Sequence, residues 1–223
     1  MINEIDLYYY DENGFDKELM SANVHLSFLF RMLLGKYDVG KFKKVLLKLT
    51  SPTIEVSNGV AIVKGKVSDL IDIVELWIEF DKEKYYSKDV EARRLDVWEC
   101  IKNGLFSIAS FYKSDTTVIE NAYKVGIERA LKCEFVTQYS EFNNKLKLNG
   151  TLVLEGDENA FVYYCLLNNE AGDKVDKIKI AEFRPYDGYE IAYFVKKVKW
   201  INNTFVVELK NKKRYSCEVL NNV

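Results

Sequence analysis

Histidine is nearly missing from this chain, which has one, His25, in 223 residues. Catalytic triads and Cys-His pairs need an imidazole beside the nucleophile. His25 lies among Val24, Leu26 and Phe28, and no G-x-S-x-G run occurs, so a place at the core edge or surface is expected rather than a chemical role. Glycine is sparse too. The 11 glycines never gather as G-x-G-x-x-G or G-x-x-x-x-G-K, and without such a loop the phosphate cradles of those nucleotide folds are excluded. Pro52 and Pro185 are the only prolines, too few for a Pro-rich linker. Cys100, Cys133, Cys165 and Cys217 are too widely separated for a zinc ribbon or a disulfide framework, and buried free thiols are expected. No zinc, nucleotide or other cofactor has a ligand set here.

Long apolar runs are lacking as well. Residues 24–34 and 160–167 are the most apolar windows, far short of the roughly 20 residues a spanning helix needs. The first twenty residues hold six acids against Lys17 alone, the reverse of a secretory signal's basic start. The expectation is a cytoplasmic protein without membrane contact. Abundant Lys, Asn, Ile and Tyr with little His and Pro point to an AT-rich genome, bacterial or phage.

What is present is the balance of a folded chain: 48% hydrophobic and 30% charged residues with a net charge of −2. Between Ser87 and Tyr112, Val90, Val97, Trp98, Ile101, Leu105, Ile108 and Tyr112 recur at three-and-four spacing, which predicts a helix with Ser87 as N-cap. A second helix is predicted from Thr117 to Leu131, with Thr117 and Glu120 at capping-box spacing. The two are expected to pack as an antiparallel hairpin with Trp98, Ile101, Leu105, Ile119, Tyr123 and Ile127 buried. From Cys133 the apolar period changes to two, and Asn149-Gly150, Gly172-Asp173, Asp187-Gly188 and Asn202-Asn203 punctuate it as turns. That pattern predicts an antiparallel β meander.

Ahead of the helices, Ile2–Tyr10, Thr53–Val56, Val60–Val67 and Ile71–Phe80 are strand-like, with Asn58-Gly59 as a hairpin turn. Ser21–Leu34 fits a helix stopped by Gly35. In 41–49, Phe42, Val45, Leu46 and Leu49 suit a helix, whereas Val45, Leu47 and Leu49 suit a strand. Segregation of helices from strands along the chain is the mark of an α+β fold. Residues 1–223 are expected to form one α+β domain or two packed lobes, a mixed one over 1–132 and an all-β one over 133–223.

Chemistry has one foothold. With Ile71–Phe80 as a strand, Glu75, Glu79 and Asp81 share a face with Trp77. Such carboxylates are candidates for Mg²⁺ or Mn²⁺ in a hydrolase or nuclease, set against the plainer reading of a solvated strand face. A second foothold is binding. The C-terminal third mixes Lys196, Lys197, Lys199 and Lys210–Arg214 with Tyr193, Phe194, Trp200, Phe205 and Tyr215, a composition that could hold nucleic acid or a small ligand. The acidic sequence pI near 5.7 speaks against nucleic acid.

Aromatic residues reach 14%. Two clusters adjoin acids: Tyr8, Tyr9 and Tyr10 beside Glu12 and Asp16, and Tyr85 and Tyr86 beside Asp81 and Glu83. Tyrosine near acids suits a protein-binding surface facing a basic partner. The expected function is therefore a non-catalytic bacterial protein-binding module, exemplified by toxin-neutralising immunity proteins.

Overall fold

The computed structural model describes residues 1–11, 14–51, 56–57, 60–61, 65–185 and 194–219. Contacts divide the chain into two compact units, Met1–Lys132 and Cys133–Val223. Glu12, the Asn58-Gly59 turn, Asp187-Gly188 and Tyr193 lie outside the described residues.

In the first unit, β1 (Glu4–Asp11), β2 (Gly14–Phe15), α1 (Lys17–Leu34), β3 (Lys44–Thr50), β4 (Val56–Ser57), β5 (Val60–Ala61), β6 (Val67–Leu70) and β7 (Ile73–Glu79) precede α2 (Lys82–Tyr86), α3 (Val90–Phe111) and α4 (Thr117–Glu128). The main sheet runs β2-β1-β3-β7-β6. Its three central strands are parallel, while β2 and β6 join antiparallel. Register aligns Ile5 with Val45 and Val74, Leu7 with Leu47 and Leu76, and Tyr9 with Leu49 and Ile78. Residues at a period of two share a face, and on this one all but the half-buried Ile78 are at most 4% exposed. Gly104 of α3 rests on Leu47 and Ile78, leaving no room there for a Cβ. The helices therefore cover this face.

Segment 41–49 contains β3 and no helix. Its run Val45-Leu46-Leu47 sits mid-sheet, flanked by parallel neighbours on both sides, and Leu46, on the face that otherwise carries Lys44 and Lys48, interrupts the polar half of the alternation. α1 ends at Gly35, whose φ of 61° is open to glycine. α3 begins later than the periodicity implied. Its N-cap is Asp89, which accepts from Ala92 N, while Ser87 closes α2. Nor does Thr117 cap α4: it is the first helical residue, and its N–H is taken by Asp115 at 2.8 Å. The buried stripe of α4 is Ile119, Ala122 and Gly126; Tyr123 is half-buried and Ile127 is 39% exposed. Gly126 is what turns the helix this way, since Trp98 of α3 fills the space over it. α4 packs on α1 as well as on α3. No helix among the described residues is long and apolar enough to cross a membrane.

The second unit is antiparallel throughout its described strands. β8 (Cys133–Asn143), β9 (Leu148–Gly156), β10 (Phe161–Asn168) and β11 (Lys174–Phe183) form one sheet, and β12 (Val195–Ile201), β13 (Thr204–Leu209) and β14 (Arg214–Glu218) a second, three-stranded meander. Alternation is clean on β10, where Phe161, Tyr163, Cys165 and Leu167 are all buried. The sheets meet along two seams. At β8 and β12, Tyr139 donates to Val195 O, Asn143 to Asn202 O and Trp200 to Glu141 O; at β11 and β14 the rings of Phe183 and Tyr215 meet at 5.1 Å. Gly172 and Asn202 take positive φ in their turns. Asn149-Gly150 is no turn. It lies within β9, and Gly150 is needed because Phe205 and Trp200 press against it at 2.8 Å from a would-be Cβ.

Candidate functional site

Three helices of the first unit start on the same local sequence, Asp-x-Glu, at Asp16, Asp81 and Asp89. Each aspartate accepts backbone N–H groups that the first turn leaves unsatisfied: Asp16 from Glu18 and Leu19, Asp81 from Lys84, Asp89 from Ala92. The remaining oxygen of Asp16 meets Lys82 Nζ at 2.5 Å, and Asp11 lies 3.5 Å from the same ammonium. Burial opposes ionisation of Asp16, but the hydrogen bonds from Lys82, Leu19 and Glu18 outweigh it and hold the carboxyl below its ordinary range. Lys82 also lies 5.2 Å over the Tyr9 ring.

The acidic, tyrosine-bearing stretches around residues 8–16 and 75–89 thus meet, but through a shared lysine and not as an acidic front. Tyr9, Phe80, Tyr85 and Tyr86 form a chain of ring contacts 5.1 to 6.1 Å apart. Tyr9 and Tyr85 are buried at 2% and 6% exposure, and Tyr85 exchanges hydrogen bonds with Asn23 of α1. Placing both on a contact surface is therefore corrected: alternation turns Tyr9 to the helix side, and Tyr85 on α2 points inward to Asn23 of α1 and Phe80. Tyr86 is exposed, with Arg93 over its ring at 5.3 Å.

Tyr8 and Tyr10 point the other way. The register sets Glu4, Asp6, Tyr8 and Tyr10 beside Lys44, Leu46, Lys48 and Thr50, and these beside Ile73, Glu75, Trp77 and Glu79. On this face the rings of Tyr8, Tyr10, Phe15 and Trp77 form one half-buried cluster, with centroids 5.2 to 6.4 Å apart. Charges around it are matched. Lys44 bridges Glu4 and Asp6 at 3.1 and 2.6 Å, and Lys48 pairs with Glu75 at 2.8 Å while covering Trp77 at 5.2 Å. Burial acts to lower the Lys44 pKa, but Asp6 and Glu4 overcome it and raise the value.

The carboxylate trio does not come together. Glu75 is committed to Lys48, Asp81 caps α2, and Glu75 and Glu79 are separated by four strand positions, about 13 Å. Among the described residues no group of three or more His, Cys, Asp or Glu could hold a metal. Glu79 and Asp81 line a cavity of about 300 Å³ with Lys88, Asp96 and Cys100. Lys88 occupies both oxygens of Asp96, and burial, then Asp96, pushes the Cys100 thiol up to about 12. A protonated thiol is no nucleophile. His25 is buried on α1.

In the second unit the bases and aromatics separate by face. Phe205 is fully buried, Trp200 meets it edge-on at 5.3 Å, and Tyr215 turns toward Phe183. Among the described residues of this sheet, Phe194 is exposed at 46% while the other rings turn inward. Cys165 and Cys217 share a thiol hydrogen bond that raises the pKa of the first and lowers that of the second.

Sequence reasoning missed Phe15, Lys44 and Lys48 as members of one surface. The alternation of β1 was visible, but the parallel partners that complete the cluster are distant in sequence. No family model, curated protein or solved structure matches this chain.

Proposed function

We propose that the chain is a non-catalytic protein-binding module of the bacterial cytoplasm, and that Tyr8, Tyr10, Phe15 and Trp77 form the centre of its contact surface. One observation carries this reading: four rings cluster on the sheet face opposite the helices, bordered by ion pairs already satisfied within the chain. Rigid aromatics give contact area at small entropic cost, and matched charges around them add selectivity without stranding a buried charge. A partner with an apolar centre fits this face better than the strongly basic one suggested by acid counts, because Asp16, Asp81 and Asp89 spend their carboxylates on helix ends. Neutralisation of a toxin is the specific role we favour.

The test is capture of a partner from the source organism by the intact chain, followed by kinetics with Tyr10→Ala and Trp77→Ala. If either ring is an anchor worth about 2 kcal/mol, dissociation should quicken roughly 30-fold. Circular dichroism would confirm that both variants fold. A partner indifferent to both substitutions would refute the surface.

A further inference from the structure

We infer that the outer face of the β12–β14 sheet docks on the phosphate backbone of duplex nucleic acid. Register places Lys197 beside Glu208 and Arg214, Lys199 beside Val206 and Ser216, and Ile201 beside Thr204 and Glu218. A bulge between Val195 and Lys197 inserts Lys196 at the sheet margin. Glu208 stands at the centre of the charged row, with Lys196, Lys199 and Arg214 at 3.7, 3.6 and 3.5 Å. Glu208 and Glu218, the two carboxylates of this face, cannot balance Lys196, Lys197, Lys199 and Arg214, so two positive charges are left over. Lys196 and Arg214 keep 57% and 59% of their side chains exposed. The hairpin between β13 and β14 adds the exposed Lys210, Lys212 and Lys213.

Charge is segregated inside this unit. Residues 194–219 carry seven Lys or Arg against two Glu, whereas 133–185 carry nine acids against six bases. The overall charge of −2 therefore hides a basic sheet. The nature of its partner follows from what shares the face. Protein interfaces are poor in lysine and centre on desolvated aromatic or apolar anchors, and Phe205, Trp200 and Tyr215 all turn inward. Phe194 at the sheet margin is exposed, but a single ring falls short of the successive platforms on which single strands stack. Lysine, arginine, serine and threonine on a firm scaffold are the groups that contact phosphates. Lys197 and Lys199 stand about 6.7 Å apart along one strand, with the neighbouring strands about 4.8 Å away. A duplex, with a charge about every 1.7 Å of axis, meets such a grid at any register.

The experiment measures fluorescence anisotropy of a labelled random-sequence 20-base-pair DNA duplex with the full chain. The two charges left over on the face and the three hairpin lysines, five in all, predict a slope of log affinity against log salt near −4.5, a loss of about 500-fold between 50 and 200 mM. Lys196→Gln with Lys197→Gln should weaken binding at 50 mM by tenfold or more. Glu208→Gln should tighten it and steepen the loss to about 1,800-fold, a gain that misfolding cannot mimic. Tyr10→Ala and Trp77→Ala should leave duplex binding unchanged, which separates this surface from the proposed protein contact. The inference is overturned by absent or salt-insensitive duplex binding, or by weaker binding of Glu208→Gln. It is equally overturned if single strands, polyglutamate or phosphatidylserine vesicles bind more tightly than the duplex.

Discussion

Gly126→Ala is normally a stabilising substitution in a helix, worth about 1 kcal/mol in favour of alanine, and here it should do the reverse. A Cβ at this position would lie 2.1 Å from Cζ2 of Trp98, 2.7 Å from Cε2 and 3.0 Å from Cη2. The indole cannot retreat. It is fully buried, Phe30 backs it at 4.4 Å, and its Nε1 donates to Tyr123 O at 3.2 Å. Either α4 moves away or the ring leaves its rotamer and loses that bond. Overpacking of this kind costs about 1 to 3 kcal/mol, and the lost hydrogen bond about 1 more. Against alanine's intrinsic advantage, the net should be a loss of about 1 to 3 kcal/mol. Urea unfolding followed by tryptophan fluorescence would report it as a lower midpoint at unchanged slope. Adding Trp98→Phe should recover part of the loss, because the smaller ring vacates the contested space. A Gly126→Ala variant as stable as the parent, or more so, would refute the account of how α4 packs.

Gly150→Ala should destabilise the second unit by about 1 to 3 kcal/mol through Phe205 and Trp200, with partial relief from Phe205→Leu; relief is the measurement that distinguishes packing from a turn requirement. Asp16→Ala should cost about 1 kcal/mol at pH 7 for the lost cap. The folded-state pKa of Asp16 is depressed below 3.8, so its contribution is present above that value and disappears as pH falls through the lower, folded-state one. The stability gap between parent and variant should therefore narrow in unfolding curves taken below about pH 4. Cys100, unlike the other three cysteines, is half-buried and lines the cavity; with its thiol raised to about 12 it should react with an aromatic disulfide reagent at pH 8 far more slowly than a free thiol, and rapid labelling there would contradict the raised value.

The long helices were legible because α1, α3 and α4 each carry enough turns for a stripe to emerge, and Gly35 marks where the first one stops. Capping was misread for a local reason. α2 has only five residues, too few to show periodicity, so its closing Ser87 looked like the start of α3. The three Asp-x-Glu starts were a readable signal of helix N-termini, but summing charge over a window cannot tell an aspartate that caps from one that faces solvent. The aromatic face was hidden by a different cause. Lys48 and Trp77 are 29 positions apart and become neighbours only through parallel pairing, which no local pattern encodes. Likewise Gly150 resembled a turn residue because a ring pressing on a glycine leaves no trace beside it in sequence.

The β8–β12 seam also governs how the second unit is reached from the unfolded chain. The β9–β10 hairpin closes between Gly156 and Phe161, a short local loop, whereas the seam joins Tyr139 to Val195 and Glu141 to Trp200 across 56 and 59 positions. At about 0.6 kcal/mol for each doubling of loop length, that difference costs about 2 kcal/mol more in closure entropy. The hairpins can therefore form and dissolve many times before the seam shuts, and seam closure becomes the slow event. Trp200, whose indole donates across the seam, sits where refolding finishes, so its fluorescence should acquire the native signal after the backbone has taken on its β signature.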